Sequence, residues 1–278
     1  MIKIPIDIIA FGKSVRFELS LDPDLRHDNW IISQYNNKIC YETEAALVML
    51  RALREGDVVL DIGANLGFFS CLMSKLVGDS GMVVACEALP ETAARLRGHL
   101  DANKCSNAIV VERPIWSREE DVTFHINSDD VSSSALWDAG LWWENNLTRA
   151  NPRLIQAHAA TLDSLDIPFS KVRFVKMDTE GAEHHIMLGA SKLLEQHPPF
   201  ILAELNPFGL QQLGTSDVEF IKFMRSREYS LFFIHGDDHL PTFVPETVVV
   251  RYVNDCVVKN VLFSTLKDIV EIWPEAVE

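Results

Sequence analysis

The chain has 278 residues, and its 40 acidic and 25 basic side chains give a formal net charge of −15 at pH 7. This length suits one large domain, or one domain with an extension, and is sufficient for a full hydrophobic core. So large an acid excess repels phosphate backbones, which argues against a nucleic-acid partner. The five cysteines are scattered without a C-x-x-C pair and are typical of free thiols in a reducing compartment. We find no cleavable signal and no apolar stretch of about 18 residues, so we expect a cytoplasmic protein without a membrane partner.

Residues 1–40 precede the first clear helical pattern. Polar and apolar residues alternate over 14–19, and a short apolar run follows at 30–32, so we predict a small β-rich extension. From Thr43, apolar residues at helical spacing predict a helix that ends at 55–57. Glu42 lies at the start of this helix.

The stretch 58–70 runs from a β-branched strand, through a turn with two glycines, into an apolar helix that Gly78 ends. Gly63 and Gly67 permit positive φ and the close approach of a ligand. Their G-x-x-x-G spacing differs from the G-x-G-x-x-G of dinucleotide sites, which weakens a nicotinamide oxidoreductase as an alternative. We interpret the strand end and the turn as a cofactor site that comprises Asp61, Gly63, Ala64, Asn65 and Gly67.

A second apolar strand at 82–86 ends in Glu87, followed by Ala88. A carboxylate at this strand tip can accept two hydrogen bonds from a ribose diol. The order of strand, glycine turn, helix, strand and acid resembles the S-adenosylmethionine site of class I methyltransferases. The alternative is a generic α/β turn with a surface glutamate.

A helix over 90–103 and a strand over 108–111 follow, and the strand leads to Trp116. After a further strand at 122–126, the insertion 128–160 is the least regular part of the chain. Three tryptophans there suggest a lid that faces the substrate, and packing of the insertion onto the sheet is an equally open interpretation. These residues are Trp137, Trp142 and Trp143.

The second half of the chain continues the alternation of strands and helices. We predict strands at 172–177, 200–203, 231–234 and 257–263, helices at about 183–196 and 216–227, and a helical tail over 266–278. The pattern indicates an α/β fold with an open, mostly parallel, doubly wound sheet. The pentad 235–239 resembles a metal cluster, but a Gly-Asp-Asp turn explains it better.

Several motifs together resemble the FkbM family of S-adenosylmethionine-dependent methyltransferases over about residues 40–265. They lie at 41–42, 55–57, 60–67, 161–165 and 176–183, and the last, Lys-Met-Asp-Thr-Glu-Gly-Ala-Glu, is the most specific. The resemblance implies a Rossmann-like class I sheet of seven strands with an antiparallel final strand. It also implies O-methylation of a hydroxyl on a sugar, glycan or small natural product. The implied organisation is an extension at 1–40, a methyltransferase domain at 41–265 and a tail that docks or meets a second subunit in a homodimer.

The implied S-adenosylmethionine site adds Glu42, Glu87, Ala88, Trp116 and Asp178 to the residues of the glycine turn. On the acceptor side, carboxylates converge where the fourth and fifth strands end. We expect Asp178 or Glu180 to act as the base, with Glu183 on the buried helix face orienting the pair. A magnesium site at Asp178, Glu204 and Asn206 is the alternative mechanism. A scaffold that binds the cofactor without catalysis also stays open.

Overall fold

The structure is a computed structural model that describes residues 1–127, 131–138, 152–196, 198–235, 240–244 and 259–274. The strands are β1 (Ile2–Ala10), β2 (Lys13–Leu21), β3 (Val58–Ile62), β4 (Met82–Cys86), β5 (Ala108–Val111), β6 (Asp121–Ile126), β7 (Arg153–His158), β8 (Val172–Met177), β9 (Phe200–Leu205), β10 (Ser230–His235), β11 (Leu240–Phe243) and β12 (Lys259–Ser264). The helices are α1 (Arg26–Asn36), α2 (Thr43–Ala52), α3 (Phe68–Val77), α4 (Pro90–Ala102), α5 (Glu183–Leu188), α6 (Ser191–Gln196), α7 (Pro207–Gln212), α8 (Asp217–Arg225) and α9 (Leu266–Ile272).

The central sheet has the order β11-β10-β12-β9-β8-β3-β4-β5. β9, β8, β3, β4 and β5 pair in parallel, whereas β12 pairs antiparallel to both β9 and β10. The Rossmann-like class I sheet with one antiparallel strand inserted near its edge is therefore confirmed. β11 is an eighth strand that the sequence analysis did not predict, and it extends the sheet beyond β10.

The sheet is buried on both faces because its strands alternate apolar residues between two hydrophobic clusters. Val59 packs with α2, α3, α4 and α9, whereas its neighbour Leu60 packs with α5 to α8. The predicted tail helix docks on the first of these faces, where Ile269, Ile272 and Trp273 are buried. Among the described residues, no helix is long and apolar enough to cross a membrane.

The N-terminal extension is a β1–β2 hairpin followed by α1. The predicted β-rich character is therefore only partly right, because the apolar run 30–32 lies within α1. Ile31 and Ile32 are buried while Trp30 is exposed, as expected for one face of a helix. The hairpin shares a core with the rest of the chain, and the rings of Phe17 and Phe68 lie 5.3 Å apart.

Two further predictions differ from the structure, and others fall on residues that it does not describe. The predicted helix 183–196 is divided into α5 and α6 at Gly189, where a Cβ would lie 2.5 Å from the Trp116 carbonyl oxygen. The insertion 128–160 contains β7, which forms a separate antiparallel hairpin with β6. Trp142, Trp143 and residues 236–239 of the pentad lie outside the described residues.

Candidate functional site

The glycine turn connects β3 to α3 with the predicted positive φ at both glycines. Gly63 has φ +79°, and a Cβ there would lie 1.9 Å from the carbonyl oxygen of Asp178. Gly67 has φ +87°, and its Cβ would lie 2.3 Å from Leu96 Cδ1. The backbone just after β8 therefore requires glycine at position 63, and the positive φ favours glycine at position 67, independently of any ligand.

Glu87 lies at the end of β4 and faces the glycine turn. Its Oε2 accepts a hydrogen bond from the Asn65 N–H at 2.9 Å, and its Oε1 accepts one from the Leu89 N–H at 2.9 Å. Burial raises the pKa of this carboxyl to about 7, although the two N–H groups oppose the rise. Each oxygen retains a lone pair, so the carboxylate is held in place and can still accept hydrogen bonds from a diol.

One cavity extends along the carboxyl ends of β3, β4, β5 and β8. It brings together six of the predicted site residues, namely Gly63, Asn65, Glu87, Ala88, Asp178 and Glu180. Its remaining lining includes Arg113, Pro114 and Ile115 after β5, and Val131, Ser132 and Leu136 from the insertion. The predicted donor and acceptor sides therefore share one concave space, as expected at the ends of parallel strands.

Trp116 does not line this cavity, although we predicted that it contacts the cofactor. Its indole stacks on the His185 imidazole with ring centroids 4.0 Å apart, and its Nε1 donates to Glu120. Trp137 is also buried, with its ring 5.4 Å from that of Phe208. For Trp137 the structure therefore favours packing of the insertion over a lid.

Lys176 is buried at the centre of a group of acids on one face of the sheet. Its Nζ donates to Asp178 Oδ2 at 3.1 Å and lies 4.7 Å from the centroid of the Phe69 ring. Burial opposes the charge on Lys176, but the carboxylates of Asp178, Glu42 and Asp61 outweigh this and raise its pKa. Lys176 is therefore the fixed positive charge that allows these carboxylates to share a buried space.

Asp61 and Glu42 lie beside Lys176 and outside the cavity lining. The Asp61 side chain is buried, its Oδ2 accepts a hydrogen bond from Ser70 Oγ, and within the described residues its Oδ1 has no partner. Glu42 adopts φ +42° and bonds to the Tyr41 hydroxyl. Burial raises the pKa of both carboxyls, and Lys176 acts in the opposite direction. Ala64 and Gly67 do not line the cavity and instead shape the turn.

The loop after β8 presents Glu180 to the cavity. Glu180 adopts φ +55°, its Oε2 accepts a hydrogen bond from Asn206 Nδ2 at 3.1 Å, and its carbonyl accepts one from Trp137 Nε1. Glu183 is buried as predicted, but it bonds to its own loop, because Oε1 accepts from the Thr179 N–H at 2.9 Å and from the Thr179 hydroxyl at 2.8 Å. Glu183 therefore fixes the loop and not the carboxylates themselves.

Glu204 completes the acid group from β9. Burial raises its pKa well above the usual value, and the neighbouring charges of Asp178, Glu180, Glu42 and Glu183 add to this rise. Both effects favour the protonated form of the Glu204 carboxyl.

The bonds that its ligands already make oppose the alternative magnesium site. β9 is regular through Leu205, so the strand itself does not exclude the site. The obstacle is instead chemical, because Asn206 Oδ1 caps α7 by accepting from the Gly209 N–H at 2.8 Å, and Lys176 occupies the charged side of Asp178. Across the described part of the chain, no group of three or more His, Cys, Asp or Glu residues is arranged to hold a metal ion.

Comparison with known proteins gives matches of two kinds. The protein-L-isoaspartate O-methyltransferase 2 of Archaeoglobus fulgidus is 39% identical over 67 residues, which cover 24% of this chain and 31% of that protein. The protein-L-isoaspartate O-methyltransferase of Ignicoccus hospitalis is 38% identical over 73 residues, or 26% of this chain and 32% of that protein. The chain therefore matches about a third of the length of these curated relatives.

Among solved structures, the methyltransferase FkbM of Methylobacillus flagellatus KT is 14% identical, with a TM-score of 0.42 over 88% of this chain and 56% of that chain. The S-adenosylmethionine-dependent O-methyltransferase of Thermotoga maritima is 12% identical, with a TM-score of 0.43 over 94% of this chain and 77% of that chain. The family model of the methyltransferase FkbM domain matches residues 61–231, which is more than half of the chain. The chain therefore belongs to the FkbM family of S-adenosylmethionine-dependent methyltransferases.

Proposed function

We propose that this methyltransferase transfers the methyl group of S-adenosylmethionine to a hydroxyl of a sugar or another small natural product. The observation that carries the proposal is that one cavity is lined by residues suited to both substrates. Glu87 is suited to the ribose of the cofactor, and Asp178 and Glu180 are suited to the acceptor. The net charge of −15 supports a small neutral acceptor over a nucleic acid.

The residues present fit the cofactor. Glu87 lines the cavity and is a fixed acceptor for the ribose hydroxyls. Asp178, Glu42 and Asp61 form a negative wall on the same side. When bound, S-adenosylmethionine supplies a methyl group activated by a positively charged sulfur, and a negative wall complements that charge.

Within the Asp178 block, we assign proton removal to Glu180. Asp178 is already engaged, because its Oδ2 accepts a hydrogen bond from the buried Lys176 ammonium. Glu180 lines the cavity, and Asn206 Nδ2 fixes one of its oxygens while Asn206 itself is fixed as the cap of α7. Glu183 keeps the loop in the conformation that presents Glu180. This arrangement supports transfer without a metal ion, as a carboxylate takes the hydroxyl proton directly.

The test measures S-adenosylhomocysteine formation with a panel of hydroxylated sugars and polyketide-like alcohols, with and without EDTA. We expect activity to survive EDTA and to fall at least about a hundredfold in Glu180→Gln, the usual effect of removing a general base. Glu195→Gln, an exposed glutamate on α6, is the matched control. Activity that requires added magnesium would overturn the metal-free assignment.

The chemical stability of the product identifies the acceptor class. The isoaspartate O-methyltransferases matched above act, by their names, on a protein carboxylate. A methyl ester hydrolyses in mild alkali, whereas a methyl ether does not. We expect an alkali-stable product, and release of labelled methanol at high pH would exclude a hydroxyl acceptor. S-adenosylmethionine binding without turnover on any acceptor would support the scaffold alternative.

A further inference from the structure

The N-terminal helix α1 borders the cofactor cavity. A second cavity lies between α1, α4 and the insertion, and residues of α1 such as His27 and Asp28 line it. Four residues line both cavities, namely Asn65, Thr92, Val131 and Ser132. α1 precedes the span 61–231 that the family model matches, so the match itself says nothing about this helix.

A buried ion pair fixes α1 on α4. Asp28 is 1% exposed, and its carboxylate accepts from both terminal nitrogens of Arg95, at 3.3 and 2.5 Å. Its Oδ2 also accepts from the Asp22 N–H at 2.6 Å. A bidentate pair of this kind defines an orientation as well as a distance. The start of α1 is therefore held rigidly beside the cavity.

A chain of hydrogen bonds connects α1 to both ends of the cofactor site. His27 Nδ1 lies 3.4 Å from Asn65 Nδ2, and His27 Nε2 lies 3.2 Å from the Tyr41 hydroxyl. The Tyr41 hydroxyl bonds in turn to the Glu42 carboxylate. In one assignment of these contacts, Asn65 donates to Nδ1, Nε2–H donates to the Tyr41 oxygen, and the Tyr41 O–H donates to Glu42.

The two ends of this hydrogen-bonded chain have separate roles in the site. Asn65 adopts φ +48° in the glycine turn, and its backbone N–H is the group that holds Glu87. Glu42, at φ +42°, is part of the negative wall around Lys176. Both conformations lie in the left-handed region that non-glycine residues rarely adopt, so each requires fixed contacts to persist.

We propose that α1 is a structural part of the S-adenosylmethionine site and that His27 is a positioning residue, which fixes the Asn65 turn and the Tyr41–Glu42 pair in their binding conformations. The proposal rests on the proposed function, because it assigns the cavity to that cofactor. It gives residues 1–40 a role in cofactor affinity and none in proton removal.

Trp30 supplies an optical reporter for the proposal. Its indole is 48% exposed, and its ring centroid lies 6.4 Å from that of His27 and 5.3 Å from that of Tyr41. Ordering of His27 and Tyr41 by a bound cofactor should change the emission of this tryptophan. We expect Trp30→Phe to remove most of the fluorescence change on cofactor binding, whereas Trp116→Phe should retain it.

The test compares S-adenosylmethionine binding by calorimetry in His27→Phe, His27→Gln and the full-length wild type. Phenylalanine keeps the ring but loses both hydrogen bonds, and we expect about tenfold weaker binding. Glutamine retains a donor and an acceptor and should restore part of the affinity. The KM for S-adenosylmethionine should rise about tenfold in the phenylalanine variant, with kcat at saturating cofactor within about twofold of the wild type. Ser33→Ala, on the exposed face of α1, is the matched control.

Each outcome separates this inference from the proposed function. Absence of S-adenosylmethionine binding by the wild type would overturn the proposed function itself. Binding by the wild type together with unchanged affinity in a folded His27→Phe variant would overturn the role of α1 alone. Asp28→Asn, which weakens the anchor on α4, is expected to reduce affinity in the same direction. If that variant fails to fold, His27→Phe with a native circular dichroism spectrum decides the question.

Discussion

Replacement of Glu87 by glutamine tests the cofactor site most directly, because it removes the charge and keeps the shape. The carboxylate accepts from the Asn65 and Leu89 N–H groups, and an amide can accept from one of them but presents an NH₂ group to the other. The unpartnered N–H costs about 1–3 kcal/mol. The loss of the charged acceptor for the ribose should weaken S-adenosylmethionine binding by about 2–4 kcal/mol, or roughly 30- to 1000-fold in Kd.

The effect of this substitution on stability should be smaller, because burial already opposes the charge. The rise in the pKa of Glu87 from 4.5 to about 7 corresponds to about 3 kcal/mol. Since the folded chain favours the protonated form, this carboxyl stabilises the fold fully below about pH 4.5, and its contribution is lost as pH rises through about 7. At pH 8 the glutamine variant avoids the cost of burying a charged carboxylate. The cost of its unpartnered N–H group offsets this gain. We expect free energies of unfolding within about 2 kcal/mol of the wild type.

Calorimetry from pH 6 to pH 8 measures the predicted change in cofactor affinity. Urea denaturation at the same pH values measures the predicted change in the free energy of unfolding. In our proposal the ionised form of Glu87 accepts from the ribose, so wild-type affinity should rise about tenfold across this range as the carboxyl loses its proton. The glutamine variant should show weak binding that is independent of pH. Glu119→Gln, which changes an exposed glutamate, is the control. Wild-type affinity in Glu87→Gln, or a retained pH dependence, would refute the assignment of Glu87 to the ribose.

Two further predictions concern the backbone and the charges behind the cavity. Gly63→Ala should abolish cofactor binding and destabilise the fold strongly in urea titrations, because its Cβ would lie 1.9 Å from a carbonyl oxygen. The control is Gly12→Ala, which has a similar positive φ but open space around the Cβ. This control should cost only about 1 kcal/mol of unfolding free energy. Equal losses in the two variants would contradict the collision. Lys176→Met should destabilise the fold by about 3–5 kcal/mol, since it leaves Asp178 and its neighbours as uncompensated buried charges. A stability in urea equal to that of the wild type would show that these acids are protonated without the lysine.

Most of the sheet could be predicted because its strands are short apolar runs with clear boundaries. β3, β4 and β8 are found where the pattern places them, since strands buried on both faces leave a strong signal in the sequence, and the short apolar run of the edge strand β5 was also sufficient. The errors occurred where local pattern and tertiary contacts disagree. The apolar run in α1 is too short to distinguish a strand from one helix face. The division between α5 and α6 depends on the close approach of the Trp116 carbonyl to Gly189, which no local pattern records.

Some residues of the candidate site could likewise be predicted from the sequence and others could not. Asn65, Glu87, Asp178 and Glu180 follow strands directly, so the rule that ligands bind at the carboxyl ends of parallel strands was sufficient to bring them together. Trp116 also follows a strand, yet its side chain turns away to His185. The direction of a side chain in an irregular loop depends on its partners, and sequence spacing does not determine it.

Lys176 was missed as a functional residue because a lysine in a strand is usually at the surface. One signal was available: Lys176 precedes Asp178 by two residues, the spacing at which side chains of an extended chain lie on the same side, and Lys176 Nζ does donate to Asp178 Oδ2. The parallel register adds what the sequence alone lacks, because it places Asp61 of β3 directly beside Lys176. In the mechanism proposed above, Asp178 is engaged by the Lys176 ammonium, and Glu180, held by Asn206, is the carboxylate of the block that we propose as the base.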